Sequence, residues 1–214
     1  MKKYLLVNMS PRAKGTSARL LDMCADSLEK LGHFVERVNL YPALKNPDAL
    51  YTSVGGADAI VLSGPCYINT YPADVTAFLE GLAAHPEALH GQSLYGLIQG
   101  GMPYAHTHES GLNMLQLFAR KCGLHYLGGF VMGMGAMLDG KPVDKLFNAK
   151  KVKRQLNAFF QHVSRNEPSP RQLYLDAQLR LPAFAARFLS IFANKAIDAQ
   201  RQKLAAGENP PVSR

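Results

Sequence analysis

Ser10-Pro11-Arg12-Ala13-Lys14-Gly15-Thr16-Ser17 is the stretch whose reading decides the fold of this chain. Ahead of it, the apolar run Tyr4-Leu5-Leu6-Val7 has the composition of a short buried strand. Behind it, Leu20, Leu21, Cys24, Leu28 and Leu31 recur at helical spacing. A strand thus runs into a tight polar loop, and the loop opens a helix. Thr16 and Ser17 place hydroxyls where first-turn N–H groups lack intrahelical partners and the helix dipole is positive. Gly15 permits close backbone approach and Arg12 brings charge. This combination suits a phosphate, and it equally suits an ordinary capped helix. The loop has neither the three glycines of the dinucleotide fingerprint nor the Lys-Ser or Lys-Thr pair of a P-loop.

Working outward, Gly32 stops the first helix and His33 to Leu40 reads as a second strand. Pro42 to Gly56 reads either as loop or as a broken helix. Asp58-Ala59-Ile60-Val61-Leu62-Ser63 is an uninterrupted apolar strand of the kind covered on both faces. It ends in Gly64-Pro65-Cys66-Tyr67-Ile68-Asn69-Thr70-Tyr71-Pro72, and a helix bearing Val75, Phe78, Leu79 and Leu82 follows. Ser93 to Gln99 is the fourth strand, closing on Gly100-Gly101-Met102-Pro103-Tyr104. The next helix carries Leu112, Leu115, Phe118, Ala119 and Cys122 and stops at Gly123. His125 to Met132 is the fifth strand, ending in Gly133-Met134-Gly135-Ala136-Met137. Asp144 is then expected to cap a helix holding Phe147, Leu156, Phe159, Phe160 and Val163. Five rounds of strand and helix predict a parallel sheet with helices on both faces. Ligands of such sheets sit outside the carboxyl ends of the strands, where strand order reverses. Loops 10–17, 64–72 and 99–108 all fall at those ends.

A hydrophobic fraction of 47% and a charged fraction of 19% exclude a disordered chain. No apolar run reaches membrane-span length, no signal pattern opens the chain, and a cytoplasmic location is expected. Cys24, Cys66 and Cys122 are too few and too far apart for a disulfide framework or an iron–sulfur cluster. The net charge of +8 is unevenly divided. Residues 1–140 hold ten Lys+Arg against eleven Asp+Glu; residues 141–214 hold fourteen against five. The basicity therefore belongs to the C-terminal third. There, 165–170 reads as a linker, and Leu181, Phe184, Phe188, Ile191 and Phe192 recur at helical spacing with Arg187 and Lys195 between them. The expected division is a main domain, 1–164, and a basic amphipathic helical extension, 165–214, with a disordered end. The apolar stripe is expected to pack on its own domain or on a twin subunit, ahead of a membrane surface contacted through 180–203. Nucleic acid is not expected, because the aromatic residues of the tail fall on that stripe.

Taken together, the loops resemble those of NAD(P)H-dependent FMN reductases with a flavodoxin-like fold. Ser10-Pro11-Arg12 with Gly15-Thr16-Ser17 is similar to that family's phosphate loop, and Ser63-Gly64-Pro65-Cys66-Tyr67 to its turn along the flavin ring. The glycine-rich end of the fourth strand and Gly133-Met134-Gly135-Ala136-Met137 are similar as well. The resemblance covers residues 1 to about 164. It implies a three-layer α/β fold, a five-stranded parallel sheet of order 2-1-3-4-5 with FMN at the reversal between the first and third strands. On it, Ser10, Arg12, Gly15, Thr16 and Ser17 would hold the phosphate. Pro65, Cys66, Tyr67, Ile68 and Asn69 would line the ring, and Gly100, Gly101 and Tyr104 would complete its pocket. The 99–108 loop, with Pro103, His106 and His108, has no residue-by-residue match in the family.

The implied function is passage of electrons from NAD(P)H through bound FMN to a small acceptor: a quinone, a nitro or azo compound, or free flavin. The flavin carries the redox chemistry, so no side-chain nucleophile is expected. One exposed flavin face serves both substrates, which predicts ping-pong turnover. Tyr104 and His106 are the candidates to steady or protonate the acceptor. His106, His108 and Glu109 lack a further ligand at good spacing for a metal, and none is expected. Cys66 reads as a small packing residue, with no second cysteine beside it. A homodimer is expected. The competing readings are a flavodoxin-like electron carrier and a non-enzymatic flavin-binding module.

Overall fold

The structure is a computed structural model that describes residues 1–67 and 69–179, and beyond them residues 187, 191, 194, 195, 198, 201 and 202. Five strands form one sheet: β1 (Lys3–Asn8), β2 (Phe34–Asn39), β3 (Ala59–Pro65), β4 (Ser93–Gln99) and β5 (His125–Met132). Their order is β2-β1-β3-β4-β5 and every pairing is parallel. This is the three-layer α/β arrangement that the resemblance implies. β3, which reads as an unbroken apolar run, is buried along its whole length, and so is β4. At the edge, β2 has no fully buried residue and mixes exposed with half-buried positions.

The connecting helices are α1 (Thr16–Lys30), α2 (Leu40–Ala43), α3 (Pro47–Gly55), α4 (Ala73–Ala83), α5 (Glu109–Cys122), α6 (Ala149–Arg165) and α7 (Gln172–Ala177). Right-handed crossovers on either side of the β1/β3 reversal send α1 and α4 to opposite faces. The pair α1 and α6 packs on one face, α4 and α5 on the other. Leu20, Leu21, Cys24 and Leu28 are buried on α1, as their spacing predicts. Gly123 ends α5 in the left-handed region at φ 70°. The ambiguous stretch 42–56 resolves into α2 and α3, with Pro47 in the first turn of α3, where a missing N–H costs nothing.

Two expectations require correction. The last helix of the main domain is not capped by Asp144: it starts at Ala149 behind Asn148, and Phe147 is 90% exposed rather than part of its buried face. Residues 165–170 are not a free linker. Ser169 N–H donates to Leu127 C=O at 2.7 Å, and Tyr95 Oη–H donates to Glu167 C=O at 2.9 Å. The first compact unit consequently runs Met1–Leu179, and the second is Arg180–Arg214. In the second unit the described residues are helical; of the expected apolar stripe, Ile191 is 47% exposed, while Leu181, Phe184, Phe188 and Phe192 lie outside the described residues, as does the expected disordered end. Among the described residues, no helix is long and apolar enough to cross a membrane.

Candidate functional site

The carboxyl edge is organised from Asn8, the last residue of β1. It is buried and stands in register with Asn39 of β2 and Ser63 of β3, where strand order reverses. Its amide donates to Asn39 Oδ1 at 2.9 Å, and its Oδ1 accepts from Ser10 N–H at 3.1 Å. Ser10 Oγ then accepts from Arg12 N–H at 3.2 Å, and Arg12 C=O accepts from Gly15 N–H at 3.2 Å. These local bonds coil the loop tightly and bring Gly15 to the N-cap position of α1, with no side-chain cap. The first-turn N–H groups of α1 therefore have no intrahelical acceptor. Ser17 is fully buried there, and its Oγ has no hydrogen-bond partner. On the β2 side of the loop, an open cleft of about 320 Å³ is lined by Asn8, Lys14, Arg19, Arg37 and Asn39.

A second segment, after β5, closes on this loop. Thr16 Oγ1–H donates to Gly135 C=O at 2.9 Å, and Gly140 N–H donates back to Thr16 Oγ1 at 3.3 Å. Arg12 is ion-paired with Asp139, both exposed. Gly140 has φ 79°, and a Cβ there would collide with Lys14 C=O, so only glycine fits. Met134 and Asp139 are also left-handed, at φ 61° and 47°. Non-glycine residues seldom adopt that region, and such strain collects at working sites.

After β3, Cys66 is buried. Its N–H donates to Gln99 C=O at 2.9 Å, its Sγ lies 3.6 Å from Ser110 Oγ, and burial raises its thiol pKa. Tyr67 and Thr70 exchange backbone hydrogen bonds at 2.7 and 3.0 Å across a turn in which Asn69 is left-handed. The Tyr67 ring is 47% exposed. Ile68 lies outside the described residues.

The end of β4 is tied to the segment after β5: Gly100 N–H donates to Met132 C=O, and Met134 N–H to Met102 C=O. Any Cβ on Gly100 would strike the His108 ring, which lies against it. His108 is 3% exposed; its Nε2 is 3.3 Å from Met102 C=O and its Nδ1 is unpartnered. Burial lowers its pKa, which favours the neutral ring; the Met102 carbonyl facing Nε2 assigns the ring proton there, leaving Nδ1 as the unpartnered acceptor. Gln99 Oε1 is a third buried atom at this edge without a partner. Tyr104 and His106 stack with ring centroids 5.7 Å apart, Tyr104 half-buried and His106 exposed. Among the described residues, no group of three His, Cys, Asp or Glu side chains could hold a metal.

The profile of a family described by its flavodoxin-like fold matches residues 2–158. The chain belongs to that family. This flavodoxin-like protein also resembles several solved structures. An NADH:FMN oxidoreductase in its apo form is 19% identical, covers 81% of this chain and 94% of its own, and has a TM-score of 0.58. An FMN-dependent NADH-azoreductase from Bacillus anthracis str. Ames Ancestor in complex with FMN is 14% identical, covering 77% and 100%, with a TM-score of 0.58. A putative quinone reductase from Klebsiella pneumoniae is 15% identical, covering 79% and 88%, with a TM-score of 0.57. At these identities the likeness shows the fold. No curated protein matches the sequence.

In this flavodoxin-like protein the three loops singled out by sequence do lie along one edge, but their side chains are differently engaged. Ser10, Gly15 and Ser17 stay at the helix terminus, where all three are buried, whereas the Thr16 hydroxyl and Arg12 are bonded to residues 135–140. Asp139 and Gly140 were not singled out by sequence; an Asp-Gly pair is a turn signal, but nothing local indicates what the turn closes on. Gln99 and His108 gain their interest from burial, which no motif announces.

The stretch after α6 also reaches this edge. Arg171 holds Glu109, at the start of α5, through both carboxylate oxygens, at 2.9 and 3.0 Å, and Tyr174 Oη–H donates to the same group at 2.8 Å. Gln178 Oε1 accepts from Ala105 N–H at 3.0 Å. Residues 171–178 thereby fix both ends of the 105–109 turn that carries His106 and His108. Burial first, and Glu109 beside it, push the Tyr174 phenol up to about 12.

Proposed function

We propose that this flavodoxin-like protein binds FMN along its carboxyl edge and passes electrons from NADH or NADPH to a small acceptor, a quinone, a nitro or azo compound, or free flavin. The single observation carrying this reading is the buried, partnerless Ser17 Oγ at the uncapped N-terminus of α1. A buried hydroxyl without a partner is disfavoured by about 1–3 kcal/mol, and a phosphate oxygen supplies the missing acceptor. The residues present fit the group: Ser17 and the first-turn N–H groups of α1 would hold the phosphate, with Ser10 and Gly15 shaping the loop. Asp139 now occupies Arg12, so Arg12 reaches a phosphate only by leaving that exposed pair.

Bound there, FMN supplies the hydride and electron chemistry. The chain's own contribution is placement and exclusion of water. The half-exposed Tyr67 ring offers a flat apolar face beside the end of β3, and Gln99 Oε1 and neutral His108 Nδ1 offer two buried acceptors to ring N–H donors. Tyr104 and His106, whose rings stack on each other, would contact the acceptor molecule. Support for the reaction class comes from the similar structures, which include an NADH:FMN oxidoreductase, an FMN-dependent NADH-azoreductase and a putative quinone reductase.

The test is anaerobic spectroscopy of the FMN-loaded protein. NADH or NADPH should bleach the flavin band directly, a quinone or azo dye should restore it, and steady-state plots should be parallel lines. A band that survives both nicotinamides but bleaches with a separate reductase identifies an electron carrier. Failure to take up FMN at all removes the proposal.

A further inference from the structure

Residues 141–154 concentrate charge in a way that the fold does not call for. Lys141, Lys145, Lys150, Lys151, Lys153 and Arg154 stand against Asp144 alone. Lys153 pairs with Asp144 at 2.8 Å; the other five cations have no ion-pair partner among the described residues. Four of the six sit in the first six residues of α6, which has no acidic residue in its first turn. That is the positive end of the helix dipole, where cations are unfavourable and carboxylates are the stabilising choice. The helix buries Val152, Gln155, Leu156, Phe159, Phe160 and Val163, so the exposed Lys150 and Arg154 lie on its outward side.

Phe147, immediately ahead of this helix, is 90% exposed, the most exposed large apolar side chain among the described residues. Among the described residues, a phenyl ring this exposed, set among cations most of which lack an ion-pair partner, has no packing role. Both features lie on the connection that leaves the carboxyl end of β5, the edge that carries the candidate site.

We propose that residues 141–154 form a docking surface for an anionic lipid bilayer, with Phe147 entering the boundary between headgroups and acyl chains and the cations facing acidic headgroups. Charge complementarity requires an anionic partner. The exposed ring selects lipid among anionic partners, since aromatic side chains settle at that boundary. A second copy of the chain is disfavoured, because a symmetric contact would set one basic patch on another. One aromatic residue makes no stacking platform for a nucleic acid strand. Docked in this way, the protein would turn its carboxyl edge toward the bilayer; that consequence rests on the proposed function, whereas lipid binding itself does not.

The test is co-sedimentation of the full-length protein with vesicles of phosphatidylcholine alone and of phosphatidylcholine mixed with phosphatidylglycerol. Binding is expected only to the mixed vesicles and should weaken as salt is raised. Lys150→Gln with Arg154→Gln should lower the partition coefficient roughly 25-fold, about fivefold per charge removed. Phe147→Ser should lower it about tenfold or more without shifting the thermal midpoint, because the ring contributes no packing. Three results overturn the proposal. The parent ignores acidic vesicles, or binds phosphatidylcholine equally well. The variants bind as tightly as the parent, which places lipid contact in the tail. The parent binds polyglutamate or duplex DNA but not vesicles, which assigns the patch to an acidic protein or a nucleic acid.

Discussion

Removing the Ser17 hydroxyl separates a ligand-holding role from a structural one. Ser17 is fully buried, and its Oγ has no partner in the protein, while its carbonyl oxygen accepts from Ser63 Oγ at 3.1 Å and is untouched by the change. Ser17→Ala therefore deletes a desolvated, unsatisfied polar atom and leaves the backbone bonding intact. In the flavin-free protein the variant should be as stable as the parent or more stable, by up to about 1 kcal/mol. In complex with FMN the sign reverses, because a hydrogen bond to a charged acceptor contributes roughly 1.5–3 kcal/mol. That corresponds to a Kd raised about 10- to 150-fold. Urea unfolding without ligand gives the first quantity, and quenching of FMN fluorescence gives the second. Thr16→Val is the contrast. It removes the hydroxyl bonded to Gly135 and Gly140, so it should cost about 1–3 kcal/mol in the flavin-free protein. If Ser17→Ala destabilises the flavin-free protein by as much as Thr16→Val, or leaves the FMN Kd unchanged, the reasoning is refuted.

Further outcomes follow from the same edge. Gly100→Ala drives a methyl group into the His108 ring and should cost about 1–3 kcal/mol in urea unfolding, whereas Gly101→Ala, whose Cβ would lie 3.8 Å from that of Ala136, should stay within about 0.5 kcal/mol. Because burial depresses the His108 pKa, the unfolded chain binds a proton that the folded one resists. Its contribution to stability is thus full above the unfolded value of about 6.5 and is lost as the pH falls below it, at no more than about 1.4 kcal/mol per pH unit; His108→Gln should flatten that slope in acid titrations of stability. Arg171→Ala releases the bidentate hold on Glu109, a pair only partly shielded from solvent. It should leave global stability nearly unchanged, because the guanidinium is exposed, while speeding amide exchange in residues 105–109 more than in β1 or β3.

The layers of the fold were legible because the central strands are apolar along their whole length. Ala59–Leu62 and Leu94–Ile98 have no polar alternation to mislead, and burial on both faces demands that composition. The helix stop at Gly123 was legible for a local reason too, a left-handed C-cap. Phe147 was misread because it is apolar and stands just ahead of α6; nine residues before Leu156 it falls on the side opposite the buried stripe, and the helix starts only after Asn148. The 165–170 stretch reads as linker from its Pro, Ser and Asn content, which records local chain preference. It does not record that Leu127, on an open sheet edge, offers its carbonyl to Ser169. At the site, the loop of residues 10–17 declared itself, since its bonds are local. Its closure by Gly135, Asp139 and Gly140 joins residues more than a hundred positions apart, and no spacing rule reaches that far.

The central claim is that the N-terminus of α1 grips a phosphate, and paired titrations with FMN and riboflavin test it most directly, because the two ligands share the ring and differ in that group. The account predicts quenching of FMN fluorescence with riboflavin binding at least about 100-fold more weakly, the loss expected when two or more charge-assisted hydrogen bonds disappear. Equal affinity for the two, or no binding of either, would contradict it.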